Sequence, residues 1–124
     1  MAMPRYTFVV LTNPVPGKEA EYNEWYNKQH IPDVLNVPGF VGAQRFRLAD
    51  TQMGDDKKTH KYLALYEIET NDLAATFKEM AARRGTPDIV MSDSIDLKGA
   101  NAAVFEPVAE KVMARDVARP RRAA

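Results

Sequence analysis

The sequence predicts an α+β sandwich, a four-stranded antiparallel sheet with two helices on one face. Three observations predict it. Four runs rich in β-branched and aromatic residues, YTFVVLTN (6–13), FVGAQRFRL (40–48), KYLALYEIE (61–69) and ANAAVFEPV (100–108), have the composition of strands. Two runs of helix formers, starting at Lys18 and Leu73, separate the first strand from the second and the third from the fourth. The second and third strands are joined by ADTQMGDDKKTH (49–60), which is polar, has no period and suits an exposed hairpin loop. The order is therefore βαββαβ. Two βαβ-like halves of this kind give an antiparallel sheet with both helices on one side, the ferredoxin-like arrangement.

Each element has its own local cause. The first strand stops at PVPG (14–17). The first helix carries Glu19 and Glu21 in its first turn, where carboxylates complement the helix dipole. Tyr22, Trp25, Tyr26 and Gln29 fall at i, i+3, i+4 and i+7 and make one stripe. Pro32 disfavours helical geometry at Ile31, so the helix is expected to end or kink there, with His30 in its last turn. VPGF (37–40) is a turn. Simple alternation in the second strand puts Phe40, Gly42, Gln44, Phe46 and Leu48 on one face and Val41, Ala43, Arg45 and Arg47 on the other. In the third strand Tyr62 and Tyr66 share a face with Ala64 and Ile68. Thr70, Asn71 or Asp72 can cap the second helix, LAATFKEMAARR, which Gly85 stops. TPDIVMSDSIDLKG (86–99) matches no single template. The domain is expected to span 1–107. The tail, 108–124, is helix-capable to about Val117 and then basic, with five Lys/Arg against two acids. It reads as a solubilising tail or a subunit-crossing arm.

Composition narrows the function classes. Lys+Arg and Asp+Glu both number 17, and this balance argues against a body built to grip nucleic acid or an acidic membrane surface. With no Cys, disulfides, Cys-based zinc sites and a thiol nucleophile are excluded. The longest apolar run near the N-terminus, FVVL, is far below the ~18 residues of a membrane span and too short for a signal peptide. A cytoplasmic location is expected. There is no GxGxxG, P-loop or GxSxG motif, which removes dinucleotide, nucleotide and serine-hydrolase readings. His30 and His60 are the only imidazoles, and neither has metal-ligand spacing around it. No metal and no cofactor are expected.

Both faces of the sheet carry apolar residues. Tyr6, Phe8 and Val10 oppose Val9 and Leu11 in the first strand, and Tyr62 and Tyr66 oppose Leu63 and Leu65 in the third. The helices cover one face. The other needs a cover too, and a second copy of the chain supplies it, so a two-fold homodimer with sheet on sheet is expected.

Glu-Tyr-Asn-Glu-Trp-Tyr (21–26), then three residues, His-Ile-Pro (30–32), Pro-Gly-Phe (38–40) and a strand with Gln44-Arg45-Phe46 form a moderately specific pattern. It resembles the dimeric α-β barrel superfamily, most of all its EthD-like branch, and the order of elements matches across about 5–107. The resemblance implies paired ferredoxin-like protomers and a small-molecule pocket between sheet and helices. It also implies several chemistries. Relatives include cofactor-free cyclases, isomerases and monooxygenases acting on aromatic or polyketide-like compounds, haem-binding enzymes, and proteins of no known reaction.

His30 has two readings. A His in a last helical turn favours the dipole and caps carbonyls, and sequence physics alone favours that structural role. Related enzymes use a His of this helix as an acid/base, and the resemblance brings the catalytic reading level with it. A helix C-terminus would raise the imidazole pKa, so pocket desolvation would have to oppose it. Tyr26, one turn earlier, is the better pocket-lining candidate, with Tyr22 and Tyr66 as further substrate-binding candidates, since a buried phenol needs a partner. Trp25 reads as core against the sheet. Arg45, inside the matched motif, could hold a carboxylate or enolate oxygen. The expected activity is an isomerase, cyclase or lyase with His30 as proton shuttle. The alternatives are a non-catalytic binding or accessory protein of a catabolic pathway and a cofactor-independent monooxygenase.

Overall fold

The computed structural model describes residues 3–118. Its elements are β1 (Arg5–Thr12), α1 (Glu19–Trp25), a π-helical turn (Tyr26–His30), α2 (Ile31–Leu35), β2 (Phe40–Arg47), β3 (Tyr62–Glu69), α3 (Leu73–Arg83), β4 (Asn101–Phe105) and a single 3-10 turn (Ala114–Asp116). The sheet order is β2-β3-β1-β4, with every pairing antiparallel. This is the ferredoxin-like fold that the element order predicts.

The core lies on the helix side of the sheet. Tyr66, Ile68 and Ala64 of β3 and Phe40 of β2 are buried there, with Tyr22, Tyr26 and Val34 packed from the first helical segment. From α3 come Leu73, Phe77 and Met80, and the Phe77 ring lies 5.0 Å from that of Phe8. Asp72 caps α3 by accepting from the Ala75 N–H at 3.0 Å, and Gly85, at φ +80°, follows its end.

Three expectations need correction. The first helix does not stop before Pro32. It runs on to Leu35 because residues 26–30 open into a π-turn, in which the Ile31 N–H reaches back to the Tyr26 carbonyl. A wider turn just ahead of a proline relieves the clash its ring makes with the preceding carbonyls. His30 is therefore mid-helix, not C-terminal. Second, Phe40 and Phe46 do not share a face. The register shifts between Phe40 and Gly42, so Val41 is a bulge that turns Phe40 into the core and leaves Phe46 on the outer face. Third, the tail forms no α-helix among the described residues. Beyond β4 the described residues are exposed, with only the 114–116 turn, and the basic end from 119 lies outside the described residues.

The segment that matched no template is an ordered loop. Val15 donates to the Ser94 carbonyl at 2.7 Å, Asp96 to Asn13 at 3.0 Å and Gly85 to Ile89 at 2.9 Å, and Ile89, Ser94 and Ile95 are buried. It closes the space between the helices and β1. Among the described residues, no helix is long and apolar enough to cross a membrane.

Candidate functional site

Between the sheet and the helices is a cavity of about 140 Å³. Phe8 and Val10 of β1 and Tyr66 of β3 form its floor. The π-turn contributes Tyr26 and His30, and the 86–99 loop closes it with Ile89, Met91 and Ile95. Its lining also includes Arg84, Leu97, Ala100 and Ala102, all exposed, so the mouth lies between the end of α3 and the β4 edge.

His30 reaches this cavity because the π-turn keeps it on the inner side of a continuing helix. Its ring stacks on Trp25 at 4.7 Å between centroids and meets Tyr26 edge-on at 5.1 Å. Trp25 is itself fixed by donating from Nε1 to the Val90 carbonyl at 2.9 Å. It thus packs half-buried against the core, as expected, and also buttresses the imidazole and the closing loop. The Nδ1 of His30 is sealed from water and has no hydrogen-bond partner. Burial, reinforced by the Arg84 charge and only partly offset by Asp33, pushes the imidazole pKa down to about 4. With the helix running on past His30, no C-terminal dipole opposes this. The ring is neutral at pH 7.

Tyr66 is fully buried, and its hydroxyl is likewise unpartnered. Burial raises its pKa far above the usual phenol value, and the Tyr26 hydroxyl, close by but outside hydrogen-bonding geometry, raises it further. Tyr26 is raised too, mainly by burial. Both remain O–H donors at any ordinary pH. Among the described residues, His30 Nδ1 and Tyr66 Oη are the only buried side-chain polar atoms without a partner.

Two sequence candidates do not line the cavity. Tyr22 is wholly buried, and its hydroxyl is taken by Thr12 at 2.5 Å. Arg45 lies on the helix side, half-buried and outside the cavity lining. Its guanidinium sits 4.2 Å from the Tyr26 ring centroid and donates to Asn27 Oδ1 at 2.7 Å and Asn23 Oδ1 at 2.9 Å. It ties β2 to α1 and the π-turn. His60 is also spoken for, with Nδ1 on Thr59 Oγ1 at 2.9 Å and Nε2 on the Gly99 carbonyl at 2.6 Å. No cluster of three metal-ligating side chains occurs among the described residues. Larger hollows, of about 390 and 570 Å³, lie by Thr7 and Glu67 on the outer sheet face and beside Arg45, and neither contains an unpartnered buried polar atom.

Sequence reasoning missed Arg84 and the closing loop. Arg84 follows the last periodic residue of α3. The loop's IVMSDSI (89–95) places its apolar residues inward without a strand or helix to announce them.

Solved structures share this fold. A monooxygenase candidate from Shewanella loihica PV-4 superposes with a TM-score of 0.56 at 14% identity, covering 89% of this chain and 100% of that one. The heme-degrader MhuD from Mycobacterium tuberculosis, with two hemes bound in its active site, gives 0.56 at 18% identity, over 86% of this chain and 99% of that one. An ethyl tert-butyl ether degradation (EthD) family protein from Bacillus halodurans C-125 gives 0.48 at 15% identity, over 84% and 99%. The first two share the ferredoxin-like fold described above. No curated protein matches the chain. A family model described as a domain of unknown function, DUF4286, matches residues 5–90, well over half the sequence, and the chain belongs to that family.

Proposed function

We propose that the protein is a small-molecule enzyme that performs acid/base chemistry in this cavity, as an isomerase, cyclase or lyase, with His30 as proton shuttle. The observation that carries the reading is that His30 and Tyr66, which line one largely apolar space, each keep a buried polar atom, Nδ1 and Oη, without a partner. Each buried polar group without a partner costs about 1–3 kcal/mol, a cost that a bound oxygenated ligand would relieve. The size supports a single-ring compound. An engineered cavity of about 150 Å³ holds benzene, and the 140 Å³ here is comparable. A polyketide-like compound of several rings exceeds it.

In the proposed step a neutral His30 takes a proton from the carbon beside a substrate carbonyl. Tyr66, with Tyr26 next to it, donates a hydrogen bond to the carbonyl oxygen as it gains enolate charge. The imidazolium then returns the proton at a second position or to a leaving group. A free imidazole with a pKa of about 4 is a weak base. The negative charge developing on the substrate raises its proton affinity during the step.

Heme, which MhuD carries, does not fit this cavity. Pockets for drug-sized ligands run to about 300–1,000 Å³, and heme is larger than most such ligands. No step is routed through it. A cofactor-independent monooxygenase would use the same cavity, and oxygen uptake with single-ring hydroquinones separates that chemistry from proton shuttling. We propose a homodimer, because the outer sheet face carries Val9, Leu11, Leu63, Leu65, Phe46 and Phe105, and a cytoplasmic location, which the absence of Cys suits.

The test is a turnover screen of single-ring ketones, lactones and unsaturated acids with wild type and His30→Ala. Turnover by wild type falling at least about 100-fold in the variant supports the reading. Undiminished turnover in His30→Ala ends it. Binding without turnover assigns the accessory role instead.

A further inference from the structure

Arg84 has no assigned task in the fold. It sits one residue beyond α3, exposed, on the lining of the cavity that holds His30 and Tyr66. Its guanidinium makes no ion pair and no hydrogen bond among the described residues. The neighbouring Arg83, by contrast, is bound to Glu79 at 2.8 Å and to the Asn36 carbonyl at 3.3 Å. Its backbone is fixed. The Arg84 N–H bonds to Met80 O at 3.2 Å, the residue bridges to Ile89, and Gly85 N–H reaches Ile89 O at 2.9 Å. The cation is thus held at the mouth by a tight turn. Asp33, whose charge opposes that of Arg84 at His30, is committed elsewhere, accepting from Gln29 Nε2 at 2.8 Å and the Val90 N–H at 3.0 Å. The cavity lining contains one cation and no anion.

We propose that Arg84 is a specificity-determining residue that anchors the carboxylate of a single-ring acid, whose ring enters the cavity toward His30 and Tyr66. This rests on the cavity being a ligand site, as proposed above. It moves the carboxylate-holding role that the sequence suggested for Arg45 to a different arginine. A guanidinium offers paired donors that match a carboxylate, and at the rim it can hold the head group in water-accessible space while the apolar body is buried. The arrangement also leaves the bound anion close enough to His30 to offset the Arg84 charge there.

Benzoate and its uncharged isostere benzamide test this by titration against wild type, Arg84→Gln and Arg84→Lys, with toluene and phenol as controls for the cavity. Binding is read by calorimetry and by the His30 ring resonances. Benzoate is expected to bind wild type about tenfold tighter than benzamide. In Arg84→Gln that preference is expected to vanish while benzamide binding stays unchanged, and Arg84→Lys is expected to retain part of it. Bound benzoate, unlike benzamide, should move the His30 titration to higher pH. Equal affinities for the two probes in wild type, or a preference surviving Arg84→Gln, overturns the anchor and leaves the cavity reading standing. If none of the four compounds binds, both fall together.

Discussion

His30 and Tyr66 can be recognised by what their removal does to stability. A residue kept for packing destabilises when truncated. A polar atom orphaned in the folded state does the reverse, because its desolvation cost is lost with it. Tyr66→Phe is therefore expected to leave stability unchanged or raise it by up to about 1 kcal/mol, measured as a denaturation midpoint, while ligand binding weakens. A loss above about 1 kcal/mol would mean that the hydroxyl is bonded in the fold. His30 gives a pH signature. Its folded pKa of about 4 lies below the ordinary 6.5, since burial and the charges of Arg84 and Arg45 outweigh Asp33. The unfolded chain takes up the proton near pH 6.5 and the native state only near 4. Stability is thus full above pH 6.5 and falls as the pH drops through that window, by roughly 3 kcal/mol in total. Urea midpoints from pH 8 to pH 4, compared between wild type and His30→Asn, should show a shallower decline in the variant. Parallel curves would show that the ring is not held neutral.

At the scale of elements, local chemistry explains most boundaries, and two positions give sharp expectations. Asp72→Ala removes the acceptor that caps α3 and should cost about 1 kcal/mol by thermal or urea unfolding. Gly39 stands at φ +100°, and a Cβ there would come within 3.1 Å of Thr76 Cγ2. Gly39→Ala should therefore cost about 1–3 kcal/mol, and a neutral result would mean that the turn and α3 can shift apart. The strands, the α3 cap and the Gly85 stop were legible in the sequence because each rests on residues adjacent in the chain. The π-turn was not. Pro32 signals a break, and only the tertiary burial of Val34 and Val37 beyond it makes a wider turn and a continuing helix the better solution. The Val41 bulge was hidden for a similar reason. Simple alternation is the default reading, and the inward demand on Phe40 overrides it. The same limits applied to the site. Tyr26, Tyr66 and His30 could be picked out as polar groups on apolar stripes. Tyr22 could not be told from them, because its partner Thr12 lies ten residues away on another element. Arg84 and the closing loop carry no periodic signal at all.

At the scale of the molecule, the proposed dimer rests on the outer sheet face. Leu65, at its centre, pairs with Val9 and Gln44, and Leu63 with Leu11 and Phe46. Packing two such faces would exceed the ~1,000 Å² typical of a specific interface. Wild type is expected to sediment as a dimer at low micromolar concentration and Leu65→Lys as a monomer, and a folded wild-type monomer would refute the sheet-on-sheet pairing. The cavity lies on the opposite side of the sheet, between sheet and helices, so its chemistry can be tested directly. The most direct measurement is exchange of the protons beside the carbonyl of single-ring ketones and keto acids in D₂O, followed by NMR, which reads proton abstraction whatever reaction completes it. Acceleration by wild type is expected for at least one such compound, lost about 100-fold or more in His30→Ala and weakened in Tyr66→Phe. Exchange no faster than in buffer across the series, or acceleration that survives His30→Ala intact, would contradict His30 as proton shuttle.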